Sequence, residues 1–258
     1  KRKKAMKYDV IIDSRPSEVV IALLRNGLLI ELHKQKHDNS FSAGDIYLGR
    51  VRKTVPGLNA SFVNIGYEKD GFLHYLDLGP KFISFQNFTQ KAINNKLNTA
   101  SLKNFKQQKN LEKEGGINTV LKGGDVVLTQ ISKEPISTKG PRLTTEISIA
   151  GRYMVLIPFS DKVSVSQKIE DSKEKSRLKK LIRSIKPHGF GVIIRTVATG
   201  KKVAELDKDL KNLYKKWQII RNKLKEAKPN TRILGELNRS ALLLRDLLSA
   251  KFNNIHVN

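Results

Sequence analysis

Between Gly57 and Tyr75 the chain reads GLNASFVNIGYEKDGFLHY. Ala60, Phe62 and Asn64 alternate with Ser61, Val63 and Ile65, the period of two that predicts a strand. Gly66 to Asp70 supplies a turn, and Gly71-Phe72-Leu73 opens a second strand. Asp9–Ile12, Ser17–Leu24 and Leu28–Leu32 predict an antiparallel meander, its second turn marked by Asn26-Gly27. His33 to Ser40 is polar and predicts a loop; its two histidines, His33 and His37, have no third ligand nearby and read as surface residues. Further strands are predicted at Ile46–Val51, Val126–Ile131, Tyr153–Ile157 and Gly191–Ile194.

Elsewhere the period lengthens. Phe82, Phe85 and Phe88 recur every three residues and predict a short helix with one aromatic face. Leu178, Leu181, Ile182 and Ile185 give Glu170–Ile185 one apolar face, and its Lys and Arg run reads as a solvated face, with phosphate tracking as the other reading. Val203, Leu206, Leu210, Leu213, Trp217, Ile220 and Leu224 are spaced alternately three and four apart, a long amphipathic helix that packs on a sheet. Pro229 stops it, Leu234–Leu248 predicts another helix, and Asn254–Val257 begins a strand. The polar stretch Lys81 to Gly116 is open to three readings: a functional loop, a helical insertion or a disordered arm.

Composition narrows the partners. The 258 residues carry a net charge of +25 and a pI near 10.1, which points to a polyanion: RNA, DNA or an anionic membrane surface. No apolar run is long enough to span a bilayer, and no apolar segment follows the basic N-terminus as a signal peptide requires. The absence of cysteine excludes disulfides, thiolate catalysis and a Cys-based zinc site within this chain, and fits a cytoplasmic location. Phe62 and Phe72, on neighbouring strands of so basic a chain, are candidates for a platform that stacks unpaired bases; the other reading makes both rings core. Short strands, paired aromatics and the basic loop Lys139-Gly140-Pro141-Arg142 describe an OB-type barrel.

At GDIYLGRV, GLNASFVNIGYEKDGFLHY, KGGDVVLTQISKEPISTKGPRLTTEIS, ISIAGRYMVLIP and GFGVIIRTVATGKK the chain resembles the bacterial ribonuclease E/G family, nearer to the ribonuclease G type of Bacteroidetes than to the enterobacterial enzymes. The resemblance implies an α+β architecture. Residues 1–43 would be the first part of an RNase H-like subdomain, and 44–145 an inserted OB-type, S-one-like RNA-binding domain with the long insertion 81–116. Residues 146–230 would be an α/β 5′-sensor region, and 231–258 the truncated returning part of the RNase H-like subdomain. It also implies that Phe62, Phe72, Lys133 and Lys139 hold the RNA strand, while Gly151, Val155, Lys168, Arg195 and Thr196 surround a 5′-monophosphate. Arginine offers a bidentate fork to phosphate and threonine a hydroxyl donor, while the helix start after Thr199-Gly200-Lys201-Lys202 favours anions. Where enterobacterial members have Arg-Arg, this chain has Gln167-Lys168.

The family's catalytic Mg²⁺ is held by carboxylates in an I-D-x-N-S segment that does not occur here, and its zinc-binding cysteines, which join protomers, are missing too. Asp207 and Asp209 are two apart on a helix and face different sides. The expectation is an N-terminal portion of a Mg²⁺-dependent endoribonuclease, homo-oligomeric at full length, with no catalytic residue and no cofactor in this chain. The full-length enzyme would cut single-stranded, AU-rich RNA and prefer a 5′-monophosphate, while this piece would bind RNA and not cut it. The alternative is a standalone RNA-binding or ribosome-associated protein.

Overall fold

A computed structural model describes residues 7–15, 17–36, 41–235 and 252–258. The chain divides into two compact units, one of residues 1–40 with 237–258 and one of residues 41–236. In the first, strands β1 (Tyr8–Ser14), β2 (Glu18–Arg25) and β3 (Leu28–Lys36) pair antiparallel. The last strand, β14 (Phe252–Val257), lies parallel to β1. Asn26 and Gly27 turn β2 into β3 with positive φ at both positions (52° and 82°), which matches the strand twist. Val10, Val19, Ile21 and Leu23 form this sheet's buried side. The loop expected from His33 does not begin there. Polar as it is, His33 to Lys36 pairs with Ile21, Val20, Val19 and Glu18 of β2, and the ladder keeps it extended. His33 bonds to Glu31 at 3.1 Å, and His37 lies outside the described residues.

The second unit opens with β4 (Ile46–Val55), β5 (Ala60–Asn64) and β6 (Gly71–His74). Later come β7 (Val126–Lys133) and β8 (Arg142–Thr144). The order β4-β5-β6-β8-β7, with β7 returning to β4, closes a five-strand barrel. Val51, Val63, Leu73, Val127, Ile131 and Leu143 fill it. The insertion begins with helix α1 (Phe82–Ile93), as the aromatic spacing predicts, and the short helix α2 (Ile117–Val120) follows it. Phe82, Phe85 and Phe88 are all buried. The rest of the insertion is irregular but tied down, so it is not a free arm. Trp217 Nε1 donates to the Ala100 carbonyl at 2.8 Å, and Tyr75 OH to that of Glu112 at 2.7 Å.

Strands β9 (Ile149–Ala150), β10 (Met154–Pro158), β11 (Val163–Val165) and β12 (Phe190–Ile194) make a third sheet, ordered β11-β12-β10-β9. Helices α3 (Ser172–Ile185) and α4 (Val203–Leu224) contribute to the same core. Met154, Leu156, Val192 and Ile194 from the sheet meet Leu178 and Ile182 of α3 and the stripe Leu206, Leu210, Leu213, Trp217, Ile220 and Leu224 of α4. Phe88 of α1 stacks on Trp217 with ring centroids 4.9 Å apart, so α4 packs on the insertion as well as on the sheet. Val203, first in the predicted stripe, is instead 52% exposed, at the uncovered first position of the helix. Strand β13 (Thr231–Leu234) pairs with β4 of the barrel. Leu234 therefore ends a strand instead of opening a helix, and 236–248 lies outside the described residues.

Candidate nucleic-acid interface

Phe62 and Phe72 are register partners on β5 and β6, their rings 5.9 Å apart at 71°. Their chain neighbours Ser61, Val63, Gly71 and Leu73 are buried, whereas both phenylalanines are only partly covered. Alternation therefore puts the rings on the outer face of the barrel. The same register continues in both directions: Lys53 of β4 lies opposite Phe62, Arg142 of β8 opposite Phe72, and Lys133 of β7 opposite Arg142. One row, Lys53-Phe62-Phe72-Arg142-Lys133, crosses all five barrel strands.

Two β-bulges make this row. Val51 and Ile131 point into the barrel, so strict alternation would send Lys53 and Lys133 inward too. The register shifts between Val51 and Lys53, and again between Ile131 and Lys133, and turns both lysines out to solvent. Lys53 Nζ sits 5.4 Å from the centre of the Phe62 ring. Arg142 is held in place by Asp77, its Nε and Nη2 donating to the two carboxylate oxygens at 3.0 and 3.2 Å. Neither Lys53 nor Arg142 was among the candidates from sequence. A shifted register leaves no mark on the local alternation from which a lysine's face is read.

Lys139 is exposed in the β7–β8 hairpin. Ile136 and Lys139 exchange backbone hydrogen bonds at 3.2 and 3.0 Å, and the Pro141 carbonyl accepts from the Phe72 N–H at 2.8 Å. The hairpin thus runs against the ring-bearing strand. A Cβ on Gly140 would fall 2.1 Å from the Asp70 carbonyl, so this close approach requires glycine.

The other five candidates come from one end of the third sheet, where β10 begins and β11 and β12 finish. Val155 is half-buried on the outer face, opposite Ile193 and Ala150. Arg195 Nη1 donates to the Gly151 carbonyl at 3.0 Å and to that of Arg152 at 3.4 Å. Thr196 Oγ1 is 3.1 Å from Ser166 Oγ, a hydroxyl that sequence reasoning missed. Lys168 stands exposed in the turn after β11.

Two backbone donors just before the helix start expected to favour an external anion are already taken from within. Glu205 accepts from the Lys202 N–H at 3.1 Å, and Glu174 from the Gly200 N–H at 2.9 Å. Asp209 accepts from the N–H groups of Arg152 and Tyr153 at 3.2 and 2.9 Å. These carboxylates take backbone donors that a phosphate would otherwise use. Arg177, and then the Gly200 N–H, hold the Glu174 carboxyl down at about 2, and the Lys202 N–H lowers that of Glu205.

Asp207 pairs with Lys211 at 2.6 Å while Asp209 caps the 152–153 backbone, so the two acids diverge as the helical spacing requires. Among the described residues no three His, Asp or Glu side chains converge as metal ligands. Among the same residues no helix is long and apolar enough to cross a membrane.

The chain thus carries a closed five-strand barrel with a ring-and-cation row and, on a separate sheet, an end bearing Arg195 and Thr196. Residues 148–258 match the sequence profile of the Ribonuclease E/G family, and the chain belongs to that family. Ribonuclease G of Escherichia coli is 32% identical over 252 residues, which cover 98% of this chain and 48% of the relative. Ribonuclease G of Haemophilus influenzae is 31% identical over 249 residues, covering 96% and 47%. Ribonuclease E of a Nostoc species is 40% identical over 219 residues, covering 83% and 27%. The chain thus spans about half the length of the ribonuclease G relatives it matches.

Proposed function

We propose that this chain is the RNA-binding, 5′-end-sensing N-terminal half of a single-strand-specific endoribonuclease of RNA processing and decay. The barrel is read as an OB-type domain inserted in a split RNase H-like subdomain. The full-length protein is read as a Mg²⁺-dependent homo-oligomer. The observation that carries the proposal is the register row. Two half-exposed rings stand side by side with a cation on each flank, and unpaired bases stack on such rings while phosphates meet the cations. Lys139, on the adjoining hairpin, is a further phosphate contact in this reading.

The sheet end is the 5′ reader. Arg195 is braced by the Gly151 carbonyl, and Thr196 and Ser166 present hydroxyls beside it. Val155 gives the terminal nucleotide an apolar floor, and Lys168 adds charge from the turn. With the Gly200 and Lys202 N–H groups already bonded to Glu174 and Glu205, side chains carry the contact to the terminal phosphate in this reading.

Fluorescence anisotropy with AU-rich oligonucleotides bearing 5′-monophosphate or 5′-hydroxyl tests both parts. The expected result is single-strand binding, tighter for the monophosphate, with no cleavage in Mg²⁺. Equal affinity for both ends would remove the sensor, and preference for duplex over single strand would remove the stacking row.

A further inference from the structure

We propose that the solvent face of α3 is a second RNA-contact surface, one that takes the phosphate backbone of a base-paired stem. Leu178 and Ile182 bury one side of α3. Lys173, Lys179, Lys180 and Arg183 stand exposed on the other. The helix has one acid, Glu174, and it faces Arg177 and the Gly200 N–H, so it neutralises none of the four. Among the described residues none of the four has an ion-pair partner. Lys179 and Lys180 lie four and three residues before Arg183, spacings at which like charges repel. Helix α4 differs in carrying three acids, Glu205, Asp207 and Asp209, among its cations: Lys211 pairs with Asp207 at 2.6 Å, and Lys201 just before the helix with Glu205 at 3.4 Å.

A row of mutually repelling cations is complementary to a row of phosphates. The kind of nucleic acid follows from what the face lacks. The segment SKEKSRLKKLIRSI holds no aromatic residue, and its exposed remainder is Ser172, Ser176, Ser184 and Arg177, the last paired with Glu174. No aromatic platform for unpaired bases stands there, unlike the barrel row with its two rings. Lysines, arginines and hydroxyls suit a phosphate backbone, and a duplex hides its bases and displays its backbone. From Lys173 to Arg183 the helix rises about 15 Å, a reach of several phosphates.

The test uses the full chain, a blunt RNA duplex of about 16 base pairs and a single-stranded oligonucleotide of the same strand. The triple variant Lys173→Glu, Lys180→Glu, Arg183→Glu is compared with Lys208→Glu, Lys215→Glu, Lys223→Glu, an equal change of charge at exposed positions of α4. The α3 variant should lose duplex affinity about tenfold or more with a shallower salt dependence, and the α4 variant less than about threefold. Single-strand affinity should stay within about threefold in both, since the stacking row is untouched. Undetectable duplex binding by the parent, unchanged duplex affinity in the α3 variant, or equal losses in the two variants would overturn the proposal. Each of those results leaves single-strand binding, and so the barrel reading, standing. If the Glu variant melts early, the Gln triple at the same positions is judged by the same criteria.

Discussion

Lys53 and Phe62 are direct cross-strand partners, with the ammonium 5.4 Å from the ring centre, because a bulge after Val51 turns the lysine outward. A cation is thereby fixed beside the first of two rings on which a base can lie. Lys53→Ala should reduce the log–log salt slope of single-strand binding by about 0.7, the loss of one phosphate contact. Binding titrations at several salt concentrations measure it; an unchanged slope would exclude Lys53 from the RNA path.

Phe62→Ala and Phe72→Ala should each weaken single-strand binding by about 1–3 kcal/mol. The rings touch each other, so the double variant should cost less than the sum of the two. Because both stand on the outer face, melting temperatures should shift little. A steep fall in melting temperature with affinity preserved would make them core.

Arg195→Ala should abolish preference for a 5′-monophosphate. It also removes the brace to the Gly151 and Arg152 carbonyls, so some loss of stability should accompany it. Thr196→Val is the cleaner probe: it removes the hydroxyl and keeps the shape, and should lower the monophosphate-to-hydroxyl affinity ratio without that loss. A ratio unmoved in both variants would locate 5′ reading elsewhere.

Trp217 is completely buried, and its Nε1 donates to the Ala100 carbonyl in the insertion. Trp217→Phe keeps an aromatic ring but leaves that carbonyl without its donor, a cost of about 1–3 kcal/mol. Hydrogen exchange should quicken around residues 97–102 as the insertion loosens from α4. Unaltered exchange there would mean that the aromatic contacts alone hold it.

Glu174 should leave a signature in acid. Its folded pKa, about 2, lies below the ordinary 4.5, so its stabilisation is full above 4.5 and is lost as pH falls toward 2. Melting temperature against pH should show this loss in the parent. Glu174→Gln should be less stable at neutral pH and lack that part of the acid limb. Parallel curves for the two proteins would deny the carboxylate its role in joining α3 to the start of α4.

Periodicity alone specified most of the local elements. The Phe62–Phe72 hairpin, the aromatic face of α1 and the buried stripe of α4 follow from backbone geometry repeated over a few residues, which a single stretch of sequence contains. Composition misled at His33 to Lys36, where pairing with β2 overrides polarity.

The tertiary structure alone decided which way Lys53 and Lys133 face, because a bulge depends on how two strands settle their hydrogen bonds and not on either strand's alternation. It likewise brought Arg142 beside Phe72, anchored Arg195 on Gly151, and filled the start of α4 with the protein's own carboxylates. Apart from the Glu205–Lys202 cap, whose residues are three apart, each of these joins residues distant in the chain. Their pairing is set by which donors and acceptors remain unsatisfied once the sheets and helices have packed, a quantity that no local pattern carries.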